Sequence, residues 1–73
     1  MELDWDTQVF SSNVQSVGYN RQTSTLVVVW KKNGKRSAYA GVPENIADEL
    51  ARAPSVGSMM RTEIIPVYQH KYM

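Results

Sequence analysis

Thr25-Leu26-Val27-Val28-Val29-Trp30-Lys31, running into Lys32-Asn33-Gly34-Lys35, decides how this chain folds. β-Branched residues and a tryptophan, bounded by polar residues, suit a pleated surface and predict a strand. Asn33-Gly34 then predicts a tight hairpin, because a type I′ turn needs positive φ at both central residues. That turn sets Lys32 opposite Lys35, Lys31 opposite Arg36, Val29 opposite Ala38 and Val28 opposite Tyr39. Side chains alternate along a strand, so one face shows Leu26, Val28, Trp30 and Tyr39. The other shows Val27, Val29, Ala38 and Ala40, with Lys31 and Arg36 at its end.

Upstream, Asn20-Arg21-Gln22-Thr23 is a polar turn, and Val14 to Tyr19 reads as a preceding strand. Downstream, Gly41-Val42 ends a third strand and Pro43 suits a helix start, where its missing N–H is harmless. Ile46, Ala47, Leu50 and Ala51 form a helical stripe, and Pro54 closes that helix. Leu26, Val28, Trp30 and Tyr39 are expected to bury against Ile46 and Leu50. Ser55 is expected to cap a second short helical turn carrying Met59 and Met60. Ile64-Ile65-Pro66-Val67-Tyr68 reads as extended. The fold class expected is α+β: a three-stranded antiparallel meander, one helix and a second short helical turn, with flexible termini. Residues 1–10 read as an N-terminal arm, 11–68 as the domain and 69–73 as a tail.

The 73 residues allow one domain with a small core. There is no cysteine to staple it. No apolar run approaches a membrane span, and Met1-Glu2-Leu3-Asp4 reads as a natural start without the basic flank of a signal peptide. A cytoplasmic, monomeric protein is expected. The net charge is only +1, but it is unevenly spread: Glu2, Asp4 and Asp6 lie at one end and Lys31, Lys32, Lys35 and Arg36 in mid-chain. That layout suits protein partners at least as well as phosphate.

Nothing here reads as catalytic, cofactor-binding or metal-binding. His70, the one histidine, lies in the expected tail, and the acids at 2, 4 and 6 read as solvated. The glycines make no phosphate loop. Lys31, Lys32, Lys35 and Arg36 at a rigid hairpin tip are a solubility device, a phosphate contact or a contact to an acidic protein surface. Val27, Val29, Ala38 and Ala40 are either covered by a terminal segment or form an open apolar strip beside that tip. These eight residues are the candidate partner-binding set. Trp30 and Tyr39 are either core or a platform for stacking bases. Met59 and Met60 are core filler or an adaptable contact.

Ser12-Asn13 through Gly18-Tyr19, Thr25-Leu26-Val27-Val28, the Gly34 turn, Tyr39-Ala40-Gly41-Val42-Pro43, and Ala53-Pro54-Ser55-Val56-Gly57 with Ile64 resemble the KTSC domain. The resemblance spans about residues 11–68. Such domains occur as small proteins of bacteria and phages and at the C-terminus of some lysyl-tRNA synthetases. The resemblance implies no enzymatic activity, and RNA has been suggested as a ligand for the family. This chain departs from the family at two places. The Tyr-x-Tyr pair is Ser37-Ala38-Tyr39, which weakens base stacking, and positions 27 and 29, often charged, are valine, which favours protein contact. The chain also looks like a small phage-encoded transcription regulator of this type. That implies binding to host RNA polymerase, inhibition of initiation and promotion of antitermination. An RNA-binding module using the basic hairpin and the sheet aromatics is the alternative, and self-assembly through the apolar strip is a third reading.

Overall fold

The computed structural model describes residues 2–72, so Met1 and Met73, the outermost residues of the expected arm and tail, lie outside it. The β-rich centre folds as its composition predicts. Strands β2 (Val14–Asn20), β3 (Thr25–Trp30) and β4 (Arg36–Ala40) form an antiparallel meander. Two further strands flank it, β1 (Trp5–Gln8) on β2 and β5 (Gln69–Tyr72) on β4. The sheet therefore has five strands in chain order, not three. The expected arm and tail supply its two edges.

The hairpin after β3 also differs from the expected one. Val29 opposes Arg36 and Val27 opposes Ala38. Only Gly34 of the Asn-Gly pair has positive φ, at 68°. A type I′ turn is thereby excluded. Lys31 to Gly34 instead form a longer loop, closed by Trp30 N–H to the Lys35 carbonyl (2.9 Å) and Gly34 N–H to the Trp30 carbonyl (2.9 Å). The pairing differs from the expected one by two residues. Because the side-chain period is also two, each residue keeps its predicted face.

The helical layer follows from local chemistry. Gly41, with φ of 70°, turns the chain out of β4. Pro43 precedes α1 (Glu44–Arg52), and its carbonyl accepts N–H groups from Ile46 and Ala47. Pro54 holds Ala53 extended (φ −62°, ψ 140°) and so ends α1. The short α2 (Val56–Met59) runs straight into a π-helical turn, Met60–Ile64. Ser55 does not cap α2 with its side chain; its Oγ bonds Ser58 Oγ at 3.0 Å. The expected extended run from Ile64 is likewise replaced. Ile65 N–H bonds the Met60 carbonyl (2.8 Å) and Tyr68 N–H the Ile64 carbonyl (2.9 Å), so coiling persists to the start of β5. Burial explains the preference, because the coiled path puts Met60 and Ile64 together in the core, at 1% and 0% exposure.

The core lies between sheet and helices. Val14, Val17, Tyr19, Leu26, Val28 and Tyr39 meet Val42, Ala47, Leu50, Val56, Met60 and Ile64. A shift in pairing between Val14 and Ser16 keeps Val14 on this side. Each fully buried aliphatic side chain contributes roughly 1.5–3 kcal/mol. Tyr19 spends its hydroxyl within the core, donating to the Val42 carbonyl at 2.5 Å. Trp30 and Ile46 are only half-buried at the margin, so neither holds the deep position expected of it.

Candidate macromolecular interface

The back of the sheet, away from the helices, carries Gly18, Val27 and Ala38 in one row and Ser16, Val29 and Arg36 in the next. Small side chains let this surface close on itself. Val27 and Ala38 are each only 2% exposed, while Val29 and Ala40 are half-buried. β3 is the central strand, so Val27 has neighbours on both sides, Gly18 on β2 and Ala38 on β4. Leu3 also lies on this face. Its Cδ1 sits 2.6 Å from where a Cβ on Gly18 would be. Of the apolar strip, then, Val29 and Ala40 are the accessible part.

Backbone contacts hold the segment around Leu3 in place. Asp4 N–H bonds the Tyr19 carbonyl (2.8 Å), and Asp4 Oδ2 accepts the Arg21 N–H (2.6 Å). On the helix side of the sheet, Trp5 stacks on Tyr19 with ring centroids 5.9 Å apart. The Trp5 indole N–H donates to Glu44 at 3.1 Å, and Arg21 Nε donates to both Glu44 oxygens at 2.9 and 2.8 Å. The bonds from Arg21, then that from Trp5, hold the Glu44 carboxyl below its ordinary pKa. The same pairing raises the Arg21 guanidinium.

At the other end of β3 the basic residues diverge. Lys31, Lys32, Lys35 and Arg36 are all exposed. Lys31 is tethered, with Nζ donating to the Ser11 carbonyl (2.7 Å) and its N–H to the Asn13 carbonyl (2.9 Å). Arg36 stands beside Val29 on the back face. Lys32 lies on the opposite side, lining a groove with Trp30 and Met60. The tip itself is stiff: Asn33 Oδ1 accepts the Lys35 N–H at 3.0 Å. Among the described residues, ion pairs join Arg21 to Glu44 and Arg52 to Asp48, and none involves a tip cation.

The groove, of about 350 Å³, was not foreseen. Its apolar part is Trp30, Met60 and Ile65, and Lys32 and Arg61 bring positive charge. Ile65 is 48% exposed. A second groove, of about 540 Å³, lies across the π turn and has Glu49 and Glu63 among apolar neighbours. Phe10 was also missed as a surface feature and is wholly exposed. It projects from a loop that Ser11 Oγ braces by accepting the Asn13 and Val14 N–H groups. The two aromatics proposed for base stacking are not equivalent. Tyr39 is 4% exposed and its burial raises its phenol pKa, whereas Trp30 keeps an accessible edge while its Nε1 donates to Ser37 Oγ at 2.8 Å. His70 lies against Tyr39, ring centroids 5.2 Å apart. Among the described residues no group of three acidic, histidine or cysteine side chains gathers as metal ligands do, and no helix is long and apolar enough to cross a membrane.

Sheet order, helical layer and charged hairpin end define a small α+β domain, a five-stranded antiparallel sheet backed on one face. The sequence profile of the KTSC domain matches residues 10–68. The chain belongs to the KTSC domain family. A solved structure, the crystal structure of a KTSC domain protein from Yersinia pestis, is similar to it with a TM-score of 0.85 at 25% identity, covering 94% of this chain and 96% of that one. No curated protein sequence matches the chain significantly.

Proposed function

We propose that this KTSC domain is a binding module, not an enzyme, and that it is a phage-encoded transcription regulator acting on host RNA polymerase. Bound there, it inhibits initiation and promotes antitermination by favouring some transcription states over others, since a ligand shifts an equilibrium only by its difference in affinity. One observation carries the binding role: exposed Lys32, Lys35 and Arg36 on a stiff hairpin, without ion-pair partners among the described residues. Positive charge held in this way speeds encounter with an acidic surface. The choice of polymerase rests on the sequence resemblance described above. Burial of Tyr39 argues against the alternative, an RNA platform built from paired sheet aromatics.

The test is co-purification of host polymerase with the wild type and with Lys35→Glu/Arg36→Glu, beside a circular-dichroism melt. Polymerase should accompany the wild type and be depleted with the variant, whose melt should be unchanged. Recovery of RNA without polymerase, lost as salt is raised, would replace this proposal with the RNA one.

A further inference from the structure

We infer that the groove between the β3–β4 hairpin and the π-helical turn is a docking site for a short acidic peptide segment that presents one bulky apolar side chain. This builds on the reading of the hairpin tip as a partner surface, because Lys32 belongs to both. Three features point to that occupant. Trp30, Met60 and Ile65 give the groove an apolar floor and lip, and Ile65 leaves about half of its surface in water. Lys32 and Arg61 line it, and among the described residues no carboxylate does. Neither cation has an ion-pair partner among the described residues. At about 350 Å³ the space lies at the small end for ligand pockets, enough for a single large side chain.

The π turn makes this surface. Its wide hydrogen bond from Ile65 N–H to the Met60 carbonyl keeps Met60 in the core while Ile65 stays out at the groove. Such turns are frequent at functional sites. Apolar anchor and flanking carboxylates must come together, because either alone leaves half of the groove unmatched. A nucleic acid fits less well. Among the described residues Trp30 is the only aromatic lining the groove, and its neighbours Met60 and Ile65 offer a base no second ring.

The experiment is an NMR titration of the full-length labelled protein with a short synthetic peptide of aspartate and glycine around one central leucine. The expected result is saturable shifts at the Trp30 indole N–H, the Ile65 methyls and Arg61. Arg61→Glu and Ile65→Ser, both at exposed positions, should each weaken binding about tenfold or more, while Arg52→Glu should leave it unchanged. Equal binding of a peptide with serine for leucine, or of either groove variant, would overturn the proposal. So would shifts centred on Glu49 and Glu63, or shifts from oligouridine but none from the peptide. Peptide binding without polymerase co-purification would uphold the groove and defeat the polymerase proposal. Polymerase binding unaffected by Arg61→Glu, with no peptide binding, would do the reverse.

Discussion

Gly18 lacks a side chain at a point where Leu3 needs the room, with Leu3 Cδ1 2.6 Å from the position of a Cβ. Gly18→Ala should therefore cost about 1–2 kcal/mol by overpacking. Leu3→Ala in the same chain should remove part of that cost, since contacting sites are not additive. A double-mutant cycle from urea melts reads this directly, and strict additivity would place Leu3 elsewhere. Glu44 sets a second test at this scale. Its carboxyl is held low by Arg21 and then by Trp5. A lowered folded-state pKa gives stability that is present above the ordinary carboxylate pKa and lost as pH falls through the lower folded value. Melting temperatures between neutral and strongly acid pH should thus fall less steeply for Glu44→Gln than for the wild type. Parallel curves would show that the Arg21–Trp5–Glu44 contact is not maintained in solution.

Among the elements, the hairpin gives the sharpest contrast between residue pattern and outcome. Gly34 carries φ of 68° with open space around it, so Gly34→Ala should cost about 1–2 kcal/mol from backbone strain alone. Asn33 has negative φ, so Asn33→Gly should gain nothing from relieved strain. A chemical-denaturation comparison in which Asn33→Gly stabilises would restore the type I′ turn. The strong strand was legible from its run of β-branched and aromatic residues between polar turns, and the helix stripe from its helical period. The edge strands were not. Trp5-Asp6-Thr7-Gln8 and the polar Gln69-His70-Lys71-Tyr72 have little apolar content, and it is pairing with a formed neighbour that makes them strands. Ile64-Ile65-Pro66-Val67 misled in the other direction. Its β-branched residues suit a strand, yet burial of Met60 and Ile64 outweighs that local preference. At the candidate interface the cations were legible, being adjacent in sequence. The groove was not, since Trp30 meets Met60 and Ile65 only after the sheet and the helical layer have packed.

For the whole molecule, the π turn separates surfaces of opposite sign: Lys32 and Arg61 on one side, Glu49 and Glu63 on the other. A partner that recognises this pattern is selected by charge as well as by shape. Lys35 and Arg36 line neither groove and stand exposed at the hairpin end, so Lys35→Glu/Arg36→Glu should slow association with immobilised polymerase several-fold and leave the dissociation rate nearly unchanged, as expected for rim charges. A change confined to dissociation would mean that these residues are buried in the complex. The strand order has a different consequence, one that concerns time. Strands β1 to β4 each pair with a neighbour across a short loop, whereas β4 and β5 close over everything from residue 41 to 68. Closing a longer loop costs more chain entropy before any contact repays it. The first four strands should therefore zip early in refolding and β5 should dock last, after the helices have formed. Pulse-labelled amide exchange should protect β2 and β3 before Gln69–Tyr72. Between those two moments the outer edge of β4 is an unpaired strand, the stage at which two copies of this chain would trade their last strands.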